Sequence, residues 1–193
     1  FDGLATQTWG GTTYLTHASI GGSMSPSASG VDSGWAGLRT RPELVAKFSG
    51  DPRGMFYTSG QTLSISNIGN FTDGYAVMKY KNIKSTGGQG SDASGTFADI
   101  DFPLFRLGDA YLMYAELAAR GQGSTTQAAT YVNTLRTRAG SPSITAADIN
   151  LNFVLDERAR ELYWEGHRRQ DLIRFGKYSG GTYNWQWKGN VQA

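Results

Sequence analysis

The stretch Leu104-Phe105-Arg106-Leu107-Gly108-Asp109-Ala110-Tyr111-Leu112-Met113-Tyr114-Ala115-Glu116-Leu117-Ala118-Ala119-Arg120-Gly121-Gln122-Gly123-Ser124-Thr125-Thr126-Gln127-Ala128-Ala129-Thr130-Tyr131-Val132-Asn133-Thr134-Leu135-Arg136-Thr137-Arg138-Ala139-Gly140 decides the fold class. Leu104, Leu107, Tyr111, Tyr114, Ala115 and Ala118 recur with helical spacing and predict one apolar helix face. Gly121-Gln122-Gly123 stops that helix. Ala128, Val132, Leu135 and Ala139 form a second stripe, stopped by Gly140. Two amphipathic helices across so short a loop predict a helix hairpin, close in length to a tetratricopeptide pair. One pair cannot cover its own apolar face, so other elements must pack on it.

A third helix is expected to follow. Thr145 and Asp148 are spaced as a capping box, and Leu151, Val154, Leu155, Ala159 and Leu162 carry the apolar stripe towards Gly166. Trp164 falls inside this helix, and a last short helix is expected over residues 170–175. The residues before this region have another texture. Residues 1–100 hold 17 of the 26 glycines and only 14 of the 34 charged residues, so half the chain is loop-rich. Short strands are expected at Thr12–Thr16, Leu63–Ser66 and within Tyr75–Ile83. A short helix is expected over Pro42–Phe48, with Pro in its first turn. The fold class is therefore mainly α, a tetratricopeptide-like helix pair plus further helices, with a loop-rich, short-strand insert. The expected organisation is a loop-rich segment over 1–100, a helical core over 101–178 and a tail over 179–193 that carries Trp185 and Trp187.

Composition excludes several functions. The 193 residues include no cysteine, which removes disulfides, thiolate metal sites and a Cys nucleophile. A net charge of +2 gives no strong electrostatic claim on nucleic acid or anionic lipid. No apolar run approaches the ~20 residues of a membrane-spanning helix. His17 and His167 are the two histidines, and no Gly-x-Ser-x-Gly elbow accompanies them. Asp99-x-Asp101 is too sparse for a calcium loop. No metal ligand set and no cofactor motif is present, so no cofactor is expected.

Two groups of side chains remain. Glu157, Glu161 and Glu165 recur at i+4 on the third helix, and paired carboxylates are what glycoside hydrolysis uses. Arg158, Arg160 and Arg169 lie among them at pairing distance, and Arg136 and Arg138 are available from the neighbouring helix to bridge the like charges of Glu157 and Glu161. A structural ion network of Glu157, Arg158, Glu161, Arg136 and Arg138 accounts for the pattern better than catalysis, and no catalytic residue is assigned. Trp9, Tyr14 and Trp35 sit among Gly, Ser and Thr in the loop-rich half. Flat rings with a polar edge suit the faces of sugars, so these three are the candidate ligand-binding residues.

Three blocks in order resemble the SusD/RagB family of outer-membrane glycan-binding lipoproteins. They are Phe102 to Glu116, Val132 to Gly140, and Asp156 to Gly176, the last containing Glu165-Gly166-His167-Arg168-Arg169-Gln170-Asp171. Weaker similarity runs back through Glu43-Leu44-Val45 and Asp51-Pro52-Arg53 to Gly34-Trp35. Asp109 stands where the family more often has Glu. The resemblance implies a SusD-like α-fold, here as the C-terminal portion of a longer protein. It also implies a non-catalytic, lipid-anchored protein at the bacterial outer-membrane surface. Such a protein binds oligosaccharides or polysaccharides and delivers them to a SusC-type TonB-dependent transporter. The alternatives are a glycoside hydrolase using the Glu157/Glu161/Glu165 stripe and a helical-repeat scaffold for protein interaction.

Overall fold

Helix α1 spans Gly11–His17, where a strand was expected. Threonine favours strands, but tertiary partners reverse the preference here. The Thr12 hydroxyl donates to Ala98 O at 3.2 Å, and the Thr13 hydroxyl accepts from Ala98 N at 3.1 Å. The Thr16 hydroxyl donates to Thr12 O, one helical turn back, at 3.1 Å. A buried hydroxyl must find a partner, and in a helix threonine can reach the carbonyl four residues earlier. Thr12, Thr13, Thr16 and His17 form the buried face of α1.

The computed structural model describes residues 5 and 7–179. It divides into two units, one holding the described residues up to 42 together with 55–102, the other holding 43–54 and 103–179. In the first unit strand is scarce. Strands β1 (Phe56–Tyr57) and β2 (Ala76–Val77) pair antiparallel, with Phe56 opposite Val77. The expected strand over Tyr75–Ile83 thus shrinks to two residues flanked by isolated bridges, Thr40 with Tyr75 and Ile83 with Gln89. Leu63–Ser66 is not a strand. The Asp73 carboxylate organises this stretch as a loop instead, accepting from Ser66 N, Ser66 Oγ, Asn67 N and Asn70 Nδ2.

In the second unit the helix pair forms. Helix α2 (Pro42–Val45) opens on its proline and runs into a 3-10 turn, Ala46–Phe48. Helices α3 (Leu107–Ala119) and α4 (Thr125–Ala139) make the hairpin. Ser124 caps α4 by accepting from Gln127 N at 3.2 Å, and Gly140 closes it in the left-handed region at φ +73°. Tyr131 of α4 stacks on Tyr111 of α3 at 4.7 Å and takes Tyr114 edge-on at 5.2 Å. The expected face of α3 is offset. Leu104 precedes the helix and, like Leu107, stays exposed, whereas Asp109, Leu112, Ala115 and Glu116 are buried. Two acids turn inward because arginines meet them there, a pairing that apolar periodicity does not show.

The expected third helix is two elements. The Thr145/Asp148 capping box forms, but it caps the 3-10 turn Ala146–Asp148. Asn150 caps again and starts α5 (Leu151–Leu162). Trp164 lies beyond its end at φ +62°. Helix α6 spans Arg168–Arg174. The core joins Leu112 and Ala115 of α3, Ala128, Val132 and Leu135 of α4, and Val154 and Leu162 of α5. Among the described residues no helix is long and apolar enough to cross a membrane. Trp185 and Trp187 lie outside the described residues.

Leu112 has no exposed surface at the centre of this core. Leu112→Ala should lower the unfolding free energy by about 2–5 kcal/mol, the cost of a buried Leu-to-Ala cavity. Urea titration followed by far-ultraviolet circular dichroism checks this, and a loss under about 1 kcal/mol would show the core placed elsewhere.

Candidate ligand platform and ion network

Trp9, Tyr14 and Trp35 come together in the first unit. The Trp9 and Trp35 rings lie 5.9 Å apart at 62°, and Tyr14 and Trp35 lie 6.2 Å apart at 53°. Phe97 joins them, 5.0 Å from Trp9. The three candidate rings remain open to solvent, with exposures of 55% for Trp9, 44% for Tyr14 and 36% for Trp35. Rings that plugged a satellite core would be buried. Adjacent, exposed and mutually tilted rings form a faceted apolar surface instead.

The platform rests on rigid backbone. Trp35 N donates to His17 O at 2.9 Å, Ala36 N to Ile20 O at 2.8 Å, and Gly37 N to Ala18 O at 2.9 Å. A Cβ on Gly34 would sit 2.5 Å from the Ile20 carbonyl oxygen, so only glycine allows this close approach. Ala36 is held in the left-handed region at φ +53°. A non-glycine residue there costs on the order of 1 kcal/mol or more, and the surrounding hydrogen bonds hold it in place.

Beneath the rings lies His17, fully buried, its imidazole 5.0 Å from the Trp35 ring and tilted 31° to it. Its Nδ1 lies 3.1 Å from Thr13 O. A carbonyl only accepts, so Nδ1 carries the hydrogen. Its Nε2 faces Asp32 Oδ1 at 3.4 Å. Hydrogen bonds from the Ser33 hydroxyl first, and then from Thr96, hold the Asp32 carboxyl below its ordinary range, with the His17 ring adding to them. In the same unit a recess of about 400 Å³ is lined by Ser27, Gly30, Val31, Ile83, Gln89 and Ser94. Its hydroxyl and amide groups suit a polyhydroxylated ligand.

The second unit holds the ion network. Glu157, Glu161 and Glu165 are all buried, and each meets guanidinium groups. Arg136 Nη1 lies 2.9 Å from Glu157, and Arg138 Nη2 lies 2.5 Å from Glu161. Neither bridges the two acids. Arg53 does, donating to Glu157 at 2.9 Å and to Glu161 at 3.1 Å, while Asp51 grips its other edge. Arg106 spans Glu161 and Glu165 with contacts of 2.6 Å each. Arg158 turns from Glu161 to Asp109 and Asp171, both at 2.9 Å. Asp156 pairs with Lys47, and Arg160 goes to Glu157.

Burial alone would raise the Glu161 carboxyl. The hydrogen bonds from Arg138 and Arg106 outweigh burial and leave it below the ordinary range. The same balance, struck by Arg53 for Asp51 and by Arg174 and Arg120 for Glu116, lowers both of those acids. Guanidinium groups thus engage both carboxylate oxygens of Glu157, Glu161 and Glu165. Among the described residues no group of three or more His, Asp or Glu side chains is placed to hold a metal ion.

The sequence profile of the SusD family matches residues 5–193. This chain belongs to the SusD family. Over 159 residues it is 38% identical to the Starch-binding protein SusD of Bacteroides thetaiotaomicron, which covers 80% of this chain and 27% of that protein. The chain therefore spans about a quarter of that relative's length. A solved structure named BT4246 is 30% identical, with a TM-score of 0.44 over 65% of this chain and 26% of that one. The described residues are mainly helical, as expected, with a single two-stranded sheet among them.

In this SusD-family chain the arginines that complete the network, Arg53 and Arg106, are missing from a reading of helix spacing alone. Both lie within the stretches that resemble the family. Phe97 carries no local signal, since more than 80 residues separate it from the platform's Trp9.

Glu161→Gln leaves Arg53, Arg106 and Arg138 facing a neutral amide. It should cost about 3–5 kcal/mol, the usual penalty for breaking a buried pair from one side. Depressed carboxyls contribute their stability fully above their ordinary range and lose it as pH falls through the lower folded values. The melting temperature should therefore stay level at neutral pH and drop below about pH 4. Thermal melts of both proteins across pH check this, and a Glu161→Gln protein as stable as the parent would refute the network.

Proposed function

We propose that this chain is part of a non-catalytic glycan-binding protein of the bacterial outer-membrane surface, lipid-anchored in its full-length form. It holds oligosaccharides or polysaccharides and delivers them to a SusC-type TonB-dependent transporter. The observation that carries the proposal is the exposed, backbone-pinned cluster of Trp9, Tyr14 and Trp35. Tilted rings accept the apolar faces of successive sugar units, and a pre-formed surface loses little entropy on binding. Membership of the SusD family and the likeness to a starch-binding relative support the substrate class, with starch the first glycan to test. The apolar side chains exposed on the helix pair, Leu107, Met113 and Leu117, are surface of the kind a protein partner covers.

The saturated, buried state of Glu157, Glu161 and Glu165 speaks against the hydrolytic alternative. A general acid needs a proton to give and a cleft in which to give it. These three acids sit in salt bridges with guanidinium partners.

Native electrophoresis through gels cast with starch, xylan, mannan, pectin or host glycans tests the proposal. One polysaccharide should retard the protein, and Trp35→Ala and Tyr14→Ala should each abolish the retardation without changing the circular dichroism. A folded protein that runs freely through every gel would overturn the assignment of the platform.

A further inference from the structure

A recess of about 250 Å³ lies in the second unit, lined by Lys47, Arg168 and Lys177 together with Asp156, Leu155 and Leu172. Lys47 comes from the 3-10 turn after α2, Leu155 and Asp156 from α5, and Arg168 and Leu172 from α6. Three cations therefore share the recess with one carboxylate. That carboxylate is already engaged. The Lys47 ammonium lies 2.9 Å from Asp156 Oδ1 and donates to its Oδ2 at 3.0 Å.

Arg168 and Lys177 are left over. Arg168 Nη1 donates to Leu155 O at 3.0 Å, a neutral carbonyl. Asp171, the other acid that acts on Arg168, is held by Arg158 at 2.9 Å and by Arg174 at 2.7 Å. Among the described residues no carboxylate lies within ion-pair distance of the Arg168 guanidinium or the Lys177 ammonium. Burial holds Arg168 below its ordinary value, against the attraction of Asp156 and Asp171. The guanidinium nevertheless stays charged at neutral pH. It has given up part of its water on folding without gaining an acid in exchange.

An oxyanion supplies what is missing. Phosphate oxygens accept hydrogen bonds, a guanidinium presents its donors in a planar fork, and an ammonium adds a point charge beside it. The recess is several times the ~30 Å³ that one water occupies in the liquid, so it admits the anion with part of the body that carries it. Leu155 and Leu172 suit the apolar portion of such a body.

We propose that Arg168 and Lys177, with Lys47 holding Asp156 aside, form an oxyanion-binding recess that takes a phosphate group, dissolved or carried on a lipid headgroup. The ring platform plays no part in it, and it does not rest on the glycan-binding proposal.

The test is calorimetric titration of inorganic phosphate into the full chain at constant ionic strength and pH. The dissociation constant should be on the order of 1 mM and should rise with added salt. Lys177→Gln and Arg168→Gln should each weaken binding about tenfold, the scale of one lost charge-assisted contact. Lys81→Gln, which removes an exposed cation from the first unit, should leave binding unchanged. Among the described residues the Lys177 ammonium makes no hydrogen bond, so Lys177→Gln keeps the test decisive even if Arg168→Gln does not fold. A second arm sediments the protein with phosphatidylcholine vesicles that contain phosphatidylglycerol. Phosphate binding with sedimentation that Lys177→Gln abolishes upholds the recess and assigns it a lipid headgroup. Phosphate binding without such sedimentation upholds it for a dissolved phosphate. No heat of phosphate binding overturns the proposal, and so does a loss in Lys81→Gln equal to that in Lys177→Gln, which would reduce the effect to diffuse surface charge.

Discussion

Arg53 sets the terms for the helical unit. Its guanidinium meets Glu157 and Glu161, two acids one turn apart on the same face of α5 and 104 and 108 residues away in sequence. Two buried carboxylates at i+4 repel each other, and Arg53 is the cation that bonds to both. With it, the face becomes the place where distant segments meet. The segment 43–54 is carried along, because Tyr163 donates its hydroxyl to Arg53 O at 2.7 Å and Phe48 packs edge-on against the Tyr163 ring. Arg136 and Arg138 tie α4 to α5, and Arg106 ties the entry of α3 to it.

Such a network is specific more than it is strong. Desolvation opposes each pair, and at Glu161 and Asp51 the hydrogen bonds from arginines outweigh it and hold the carboxyls below their ordinary range. The consequence for function is chemical. A carboxylate held by guanidinium groups on both oxygens is a weaker base and nucleophile than a free one. The acidic stripe of Glu157, Glu161 and Glu165 is engaged in this way.

The helix pair was legible because its signals are local. Ala128, Val132 and Leu135 repeat with helical spacing, Ser124 and Gly140 mark the ends of α4, and each term lies within a turn of the next. The first unit resisted the same treatment. Thr12, Thr13 and Thr16 carry a strand-like composition, but the hydroxyls of Thr12 and Thr13 bond to Ala98, more than 80 residues on, and that of Thr16 bonds back to Thr12 O, as a helix allows. Asp73 fixes Ser66 and Asn67 by side-chain bonds that no periodicity encodes. On α3 the expected face was displaced because Asp109 and Glu116 count as polar in a pattern yet are buried against Arg158 and Arg174. Ring chemistry singled out Trp9, Tyr14 and Trp35, whereas their adjacency and the buried His17 below them needed the fold.

A side chain that is to meet a ligand must be held still while remaining exposed. Packing cannot do both, since the contacts that immobilise a ring also cover it. In the first unit the immobilising contacts are made by the backbone. The amides of residues 35–37 are bonded to α1 and the residues that follow it, Gly34 admits the close approach, and Ala36 accepts a strained φ. The Trp35 ring is thereby fixed at its root and free at its face. A large apolar side chain left exposed without such anchoring would carry the entropic cost of ordering into every binding event. The strain at Ala36 is consistent with this, because a left-handed alanine survives only where the surrounding hydrogen bonds leave the chain no cheaper path.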